Sequence, residues 1–331
     1  VRAASLRAGL LALAALAAAP ARATDFTRGA VATSGSEFLL QDIGARGIAM
    51  GGAYSAVTND AYSLYWNPAG LSKIPRFSAA FMYSRYVADI SYQSAMAAGR
   101  LNDLGVVAGG IRYRDIGSIS NTDLAGNAVG TFHPRDYVAE IGWGQSVLDL
   151  SDSEMDVTMG VVGRWIHSDY VMHADGYGGD IGIQSRFYTS RYTYDLSFVA
   201  QNMGMGQKFD QVRDTLPFRA RLGAAMSPIR PLTLSMEAIM QVSDIPAGAG
   251  GVEYVLEISK DVKGAIRGGF NSTTLDSLGV ASCLSAGLGL TMGDFSFDYS
   301  FVPMGVLGSD THRFSITFNL PAKASRRYRE R

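Results

Sequence analysis

One cysteine, Cys283, in 331 residues excludes an internal disulfide, and no Cys-x-x-Cys or Cys/His spacing is present to hold a metal. Charge is scarce: Asp, Glu, Lys and Arg make up 18% of the chain, against about 25% in soluble domains. The net charge of −1 supplies no basic face for nucleic acid. Beyond the first residues no run of ~18 apolar residues occurs, so no transmembrane helix is expected there. Neither G-x-S-x-G nor H-E-x-x-H is present. The histidines His133, His167, His173 and His312 are scattered, and no spacing sets a nucleophile beside a base. The sequence therefore points away from an enzyme, a metalloprotein or a nucleic-acid binder, and implies no cofactor.

What the chain does have is glycine, 38 residues, with 16 Tyr and 15 Phe. It opens with Arg2 and Arg7, an apolar stretch from Leu10 to Ala19, and Ala21-Arg22-Ala23. These fit a secretory signal peptide over residues 1–23, cleaved before Thr24. No cysteine follows to carry a lipid. An exported chain without a membrane helix can still cross a bilayer as a closed sheet, which bonds every backbone group internally with only half its side chains apolar.

From Arg76 the pattern has period two. Phe77, Ala79, Phe81 and Tyr83 alternate with Ser78, Ala80, Met82 and Ser84. Fourteen such stretches follow one another: 76–86, 91–101, 104–114, 136–147, 155–167, 178–188, 192–202, 218–226, 232–241, 251–259, 264–271, 282–291, 295–302 and 313–320. An even count, and lengths near the 9–11 residues that span a bilayer when tilted, suit a barrel. Phe295, Phe297, Tyr299 and Phe301 are expected to face lipid, and Ser296, Asp298, Ser300 and Val302 the lumen. Tyr86, Tyr188 and Tyr192 at strand ends are candidates for aromatic girdles. Long connections, 115–135, 168–177, 203–217, 242–250, 272–281 and 303–312, follow odd-numbered strands, and shorter ones follow even-numbered strands. Long loops lie outside the cell and short turns in the periplasm, so both ends of the barrel would be periplasmic. A two-sheet sandwich also alternates, but strand length, the loop pattern and a secretion signal without disulfides favour the barrel.

Between signal and strands lies Gly44 to Ile74, rich in Gly and Ala and reading as neither strand nor long helix. It is read as a plug inside the barrel. The pieces Gly44-Ala45-Arg46, Met50-Gly51-Gly52-Ala53, Asn59-Asp60-Ala61 and Tyr65-Trp66-Asn67-Pro68-Ala69-Gly70-Leu71 carry a resemblance. The stretch resembles the N-terminal signature of the PorV/PorQ-type outer-membrane barrels, relatives of the FadL-type hydrophobic-compound transporters. The resemblance is strongest in the first third of the chain and weaker beyond.

The expected fold is all-β: a transmembrane antiparallel barrel of about fourteen strands over residues 76–320, with a lead-in and plug over 24–75 and a basic tail over 321–331. The resemblance implies a bacterial outer-membrane location with lipid as neighbour. The plug has two readings: a structural one, in which Asn67 and Pro68 make a rigid turn that seals the barrel, and the one the resemblance implies, a gate with Tyr54, Tyr62, Tyr65 and Trp66 lining part of an apolar site. Arg219, Arg221, Glu237, Glu253, Glu257 and Arg267 should point into the lumen, because charge facing lipid costs about 2–4 kcal/mol at mid-membrane for Arg or Lys. Two functions follow from the resemblance: transport of a hydrophobic small molecule, or a component of a type IX-like protein secretion system with protein partners. His173, Asp175 and Asp180 lie close in sequence, yet Asp175-Gly176 reads as a turn; Asp149, Asp152 and Glu154 read as a solvated turn.

Overall fold

Alternation along the chain becomes a closed ring of fourteen antiparallel strands in the computed structural model, which describes residues 34–86, 90–150, 155–189, 192–242 and 244–321. The ring begins with β1 (Phe77–Arg85), β2 (Ser91–Arg100) and β3 (Val106–Asp115). A separate hairpin, β4 (Ile119–Thr122) and β5 (Ala128–Phe132), follows. The ring resumes with β6 (Arg135–Leu150), β7 (Met155–Asp169), β8 (His173–Tyr188), β9 (Thr193–Met205) and β10 (Arg219–Ile229). It continues through β11 (Leu232–Gln241), β12 (Ala247–Glu257), β13 (Val262–Asn271), β14 (Leu284–Met292), β15 (Phe295–Pro303) and β16 (Asp310–Leu320). Each strand pairs with its sequence neighbour, and β1 pairs with β16, Phe77 opposite Leu320, to close the ring. All fourteen expected strands are present in their expected order.

The two faces sort as the period-two pattern requires. Phe297, Phe314 and Ile316 are exposed outward, whereas Asp298, Ser300, Arg313 and Ser315 on the same strands are buried inward. Outside, Leu256, Ile266, Leu288, Phe297 and Phe314 border an apolar groove of about 590 Å³. Short turns such as 230–231 and 293–294 share one end with the start of β1 and the end of β16, the periplasmic end by the rule above.

Three details differ from the sequence reading. The connection expected over 168–177 is a turn of residues 170–172, because β7 and β8 run on past it. Gly176 and Gly178 are inner-face strand positions there, close to Gln207 and Leu216, and so mimic a turn in sequence. Asp175 points outward and accepts from Trp165 Nε1 at 2.9 Å, with His167 Nδ1 also at 2.9 Å, whereas Asp180 is buried in the lumen. Tyr86 belongs to no girdle: it continues the inward parity of Met82 and Ser84 and packs against the core. The signal-peptide stretch, the tail beyond residue 321, Asp152, Glu154 and the side chain of Asp149 lie outside the described residues.

Residues 36–74 run inside the ring. Their partners sit on inner faces all round it: Ser78 of β1 for Ala61, Gln184 of β8 for Ala56, Ser197 of β9 for Ser55, Glu253 of β12 for Arg46, Ser285 of β14 for Gly51 and Ser315 of β16 for Ala45. Inner-face glycines make the room. A Cβ on Gly160 would stand 2.3 Å from the Pro68 carbonyl, and one on Gly269 would stand 2.0 Å from the Gly51 nitrogen. Gly142, Gly144, Gly182, Gly223, Gly251 and Gly287 meet the same segment in the same way. Eight of the 38 glycines are thus explained by the close approach of this inner segment to the wall.

Candidate functional site

Short local structure fixes the inner segment. A helical turn, Ala45–Ala49, is followed by tight bends at Gly51 and Gly52, both at positive φ. A second turn, Ser63–Trp66, ends at Asn67, whose extended backbone precedes Pro68. Asn67 Oδ1 then accepts from Ala69 N at 3.0 Å and caps the 3-10 turn Pro68–Lys73, with proline at its first position. Asn67 Nδ2 donates to the Ser55 carbonyl at 2.9 Å, tying the two halves of the segment together. Asn67 and Pro68 therefore sit in a buried, fully bonded turn.

The aromatic residues pack around that turn. Trp66 is fully buried, donates from Nε1 to the Ile43 carbonyl at 2.9 Å, and meets Tyr54 and Tyr65 edge to face. Gly47 admits it, since a Cβ there would lie 2.8 Å from the indole. Tyr65 Oη donates to Asp42 Oδ1 and accepts from Arg219 Nη2, both at 2.9 Å. Tyr62 is buried against the first turn, beneath Gly44. Burying each such side chain stabilises by about 1.5–3 kcal/mol. The four aromatics form the core of the inner segment.

Lumen charges form chains. Arg46 grips Glu253 through Nε at 2.8 Å and Nη2 at 2.7 Å; Arg267 Nε donates to the same carboxylate at 2.6 Å and its Nη1 to Asp298 at 2.7 Å. Arg221 pairs with Glu237, which also accepts from Ser55 N and Oγ. Arg219 donates to Gln201 at 2.9 Å. Of the six charges expected inside, Glu257 departs: at the periplasmic end of β12 its side chain is 78% exposed and 3.8 Å from Lys263. Parity placed it correctly, but the strand runs out before the lumen encloses it.

Sequence reasoning passed over a second chain, Arg112–Glu140–Arg164–Asp180, across β3, β6, β7 and β8. Its signal was available, as all four occupy the inward parity of otherwise small or apolar strands. Outward, His167 meets Asp175, Trp165 and His173, yet among the described residues no group of three His, Cys, Asp or Glu could hold a metal.

Two cavities border the inner segment within the ring. The upper one, about 460 Å³, is lined by Phe38, Leu40, Ile48, Ile239, Leu284 and Val302, with Arg219, Arg221 and Arg313 among its polar groups. The lower one, about 220 Å³, is polar and is lined by Arg46, Asp60, Glu253, Lys263, Arg267 and Asp298. Ile48, Gly51 and Gly52 border the upper space, and Arg46, Asn59 and Asp60 the lower, so the inner segment contributes to both. The aromatic core residues Tyr54, Tyr62, Tyr65 and Trp66 are not among the lining residues of either cavity.

With this geometry in view, residues 23–232 match the family described as type IX secretion system protein PorV. The chain belongs to the PorV family. As an outer-membrane β-barrel it shares its architecture with solved transport proteins. The toluene transporter TodX of Pseudomonas putida aligns with a TM-score of 0.57 at 12% identity, over 83% of this chain and 97% of TodX. The toluene transporter TbuX of Ralstonia pickettii gives 0.54 at 12%, over 86% and 100%. The monoaromatic hydrocarbon channel CymD gives 0.53 at 10%, over 86% and 99%. At such identities the likeness is one of fold. No curated protein matches the chain.

Proposed function

We propose that this PorV-family barrel passes small hydrophobic molecules across the outer membrane, with the inner segment as its plug. The observation that carries this reading is the largely apolar upper cavity bordered by Ile48, Gly51 and Gly52 of the inner segment, with a second cavity bordered by Arg46 of the same segment. An apolar space with a few placed polar groups is the usual form of a small-molecule site. The shared fold with TodX, TbuX and CymD, whose own cargoes are aromatic hydrocarbons, supports it by analogy. Cargo would enter the upper cavity and move down once residues 46–52 shift. No step of this requires a catalytic residue.

The test is uptake of a small apolar compound into liposomes holding the purified protein. Ile48→Trp, which adds bulk at the cavity floor, is expected to cut uptake about tenfold while the barrel stays folded. Unchanged uptake in that variant would remove the upper cavity from the path.

A second reading has its own support. The family description names a protein secretion system, and the β4–β5 hairpin stands outside the ring with Leu124 and Val129 exposed. In that reading the upper connections hold a protein partner. Deleting residues 119–132 would then abolish partner capture and leave uptake unchanged.

A further inference from the structure

We propose that Arg313, Ser84 and Ser300 form a binding site for a single oxyanion in the wall of the upper cavity. The three residues are inner-face neighbours on adjacent strands. Arg313 of β16 lies opposite Ser300 of β15 on one side and opposite Ser84 of β1 on the other. Directly opposed residues hold their Cβ atoms about 4.5–5.5 Å apart, so each serine stands beside Arg313, the two flanking it on either side. Both serines are fully buried and Arg313 is 6% exposed, with its side chain among those lining the cavity.

Their hydrogen bonding is incomplete in a concerted way. Arg313 Nη2 donates to Tyr86 Oη at 2.7 Å, and the guanidinium lies 4.9 Å over the Tyr86 ring. Arg313 Nε and Nη1, Ser84 Oγ and Ser300 Oγ have no partner among the described residues. Leaving a buried polar group unsatisfied costs about 1–3 kcal/mol, and more when it is charged. Four such atoms on three successive strands, centred on Arg313, mark a place built for a further group. That group accepts hydrogen bonds and carries negative charge, because the site offers a cation and two hydroxyls.

Charge matching singles out Arg313. Nearby cavity arginines each have a carboxylate: Arg114 has Asp136, Arg219 has Asp42 and Arg221 has Glu237. Among the described residues no carboxylate forms an ion pair with Arg313. A buried guanidinium without a counter-charge is strongly disfavoured, and a bound oxyanion supplies the missing charge. A carboxylate, sulfate or phosphate satisfies this chemistry. It can arrive as the head of an amphiphile whose apolar part fills the cavity, or as a free inorganic ion. The amphiphile source rests on the proposed passage; the oxyanion site itself does not.

The test follows thermal unfolding of the full chain in a neutral detergent at fixed ionic strength, titrated separately with octyl phosphate, octanol and inorganic phosphate. Octyl phosphate is expected to raise Tm saturably, with a half-saturation at least tenfold below that of octanol. Arg313→Gln is expected to bring octyl phosphate down to the level of octanol. Should that variant fail to fold, Ser84→Ala with Ser300→Ala keeps the charge and is expected to weaken octyl phosphate severalfold while leaving octanol unchanged. Inorganic phosphate matching octyl phosphate would support the site with a free ion as its ligand. Inorganic phosphate binding without any response to octanol would support the site and remove the passage. The proposal is overturned if neither phosphate binds more tightly than octanol. It is also overturned if the variants bind octyl phosphate as the parent protein does.

Discussion

The two sides of the lumen hold the same inner segment by different means. On the side walled by β6 to β8, residues 67–71 press their backbone against glycines: Gly144, Gly160 and Gly182 each leave room only for hydrogen beside Asn67, Pro68 or Leu71. The four members of the ionic chain there, Arg112–Glu140–Arg164–Asp180, are all wall residues, although Arg112 also lies over the Tyr65 ring and Lys73 of the segment pairs with Asp195 of β9 at 3.2 Å. On the side walled by β11 to β16, the segment touches glycine only around residues 49–51, and open space lies above and below it. The ionic chain on that side includes the segment itself, through Arg46. Steric seating cannot be undone without moving the wall, whereas an ion pair can exchange partners. The proposed passage requires residues 46–52 to move, and their own close approaches to Gly251, Gly269 and Gly287 must part when they do.

Substitutions on the seated side should do the most damage. Gly160→Val places carbon where the Pro68 carbonyl stands and should cost about 3 kcal/mol or more, by analogy with overpacked cores. A fall in Tm in detergent, together with protease access to the inner segment, would register it. Gly248→Val is the control, as a Cβ at Gly248 meets nothing within 4 Å. On the open side, Arg46→Met removes one of two arginines from Glu253. Because Arg267 remains and Arg46 is 27% exposed, the expected cost is about 1–3 kcal/mol, below that of a fully broken buried pair. Uptake into liposomes should rise in this variant; a fall would place the ion pair in the path rather than in the closure.

The smallest effect belongs to the hairpin, outside the membrane. The Asn127 side chain and amide, with the amide of Ala125, hold the Asp123 carboxyl below its usual range. A depressed carboxyl stabilises above its unfolded pKa and loses that support as pH falls through the folded value. The turn of β4–β5 should therefore fray in acid below the ordinary carboxylate range while the barrel is untouched. Hydrogen exchange at Ala125 and Asn127 reads this, and Asp123→Asn should flatten the response.

Strand order was legible because inward and outward parity repeats along every strand, as in Phe295 to Val302, and a membrane barrel enforces it on both faces. The upper ends of β7 and β8 were not, since Asp175-Gly176 carries turn residues for reasons of inner-face space and outer-face hydrogen bonding. Tyr86 likewise needed the third dimension: strand-end tyrosines read as girdle, but its parity sends it to Arg313. The chain Arg112–Glu140–Arg164–Asp180 and the orphaned Arg313 were visible only as inward charges. Which inward charge finds a carboxylate depends on register between strands, and a list of strands does not contain it. The lie of residues 44–74 depended on contacts to strands up to 270 positions away, as with Ala45 and Ser315, which no local pattern encodes.

The most direct test locks the inner segment to the wall at residue 45 and at residue 55 in turn and measures uptake. In a Cys283→Ser background, Ala45→Cys with Ser315→Cys would tie the segment to β16 on the open side, where Ala45 N is 3.0 Å from Ser315 Oγ. Ser55→Cys with Ser197→Cys would tie it to β9, where the two hydroxyls are 2.8 Å apart. The first disulfide is expected to stop uptake of a small apolar compound, reduction to restore it, and the second to leave uptake intact. Equal uptake through both locked forms, or a block by the second alone, would contradict the proposed passage.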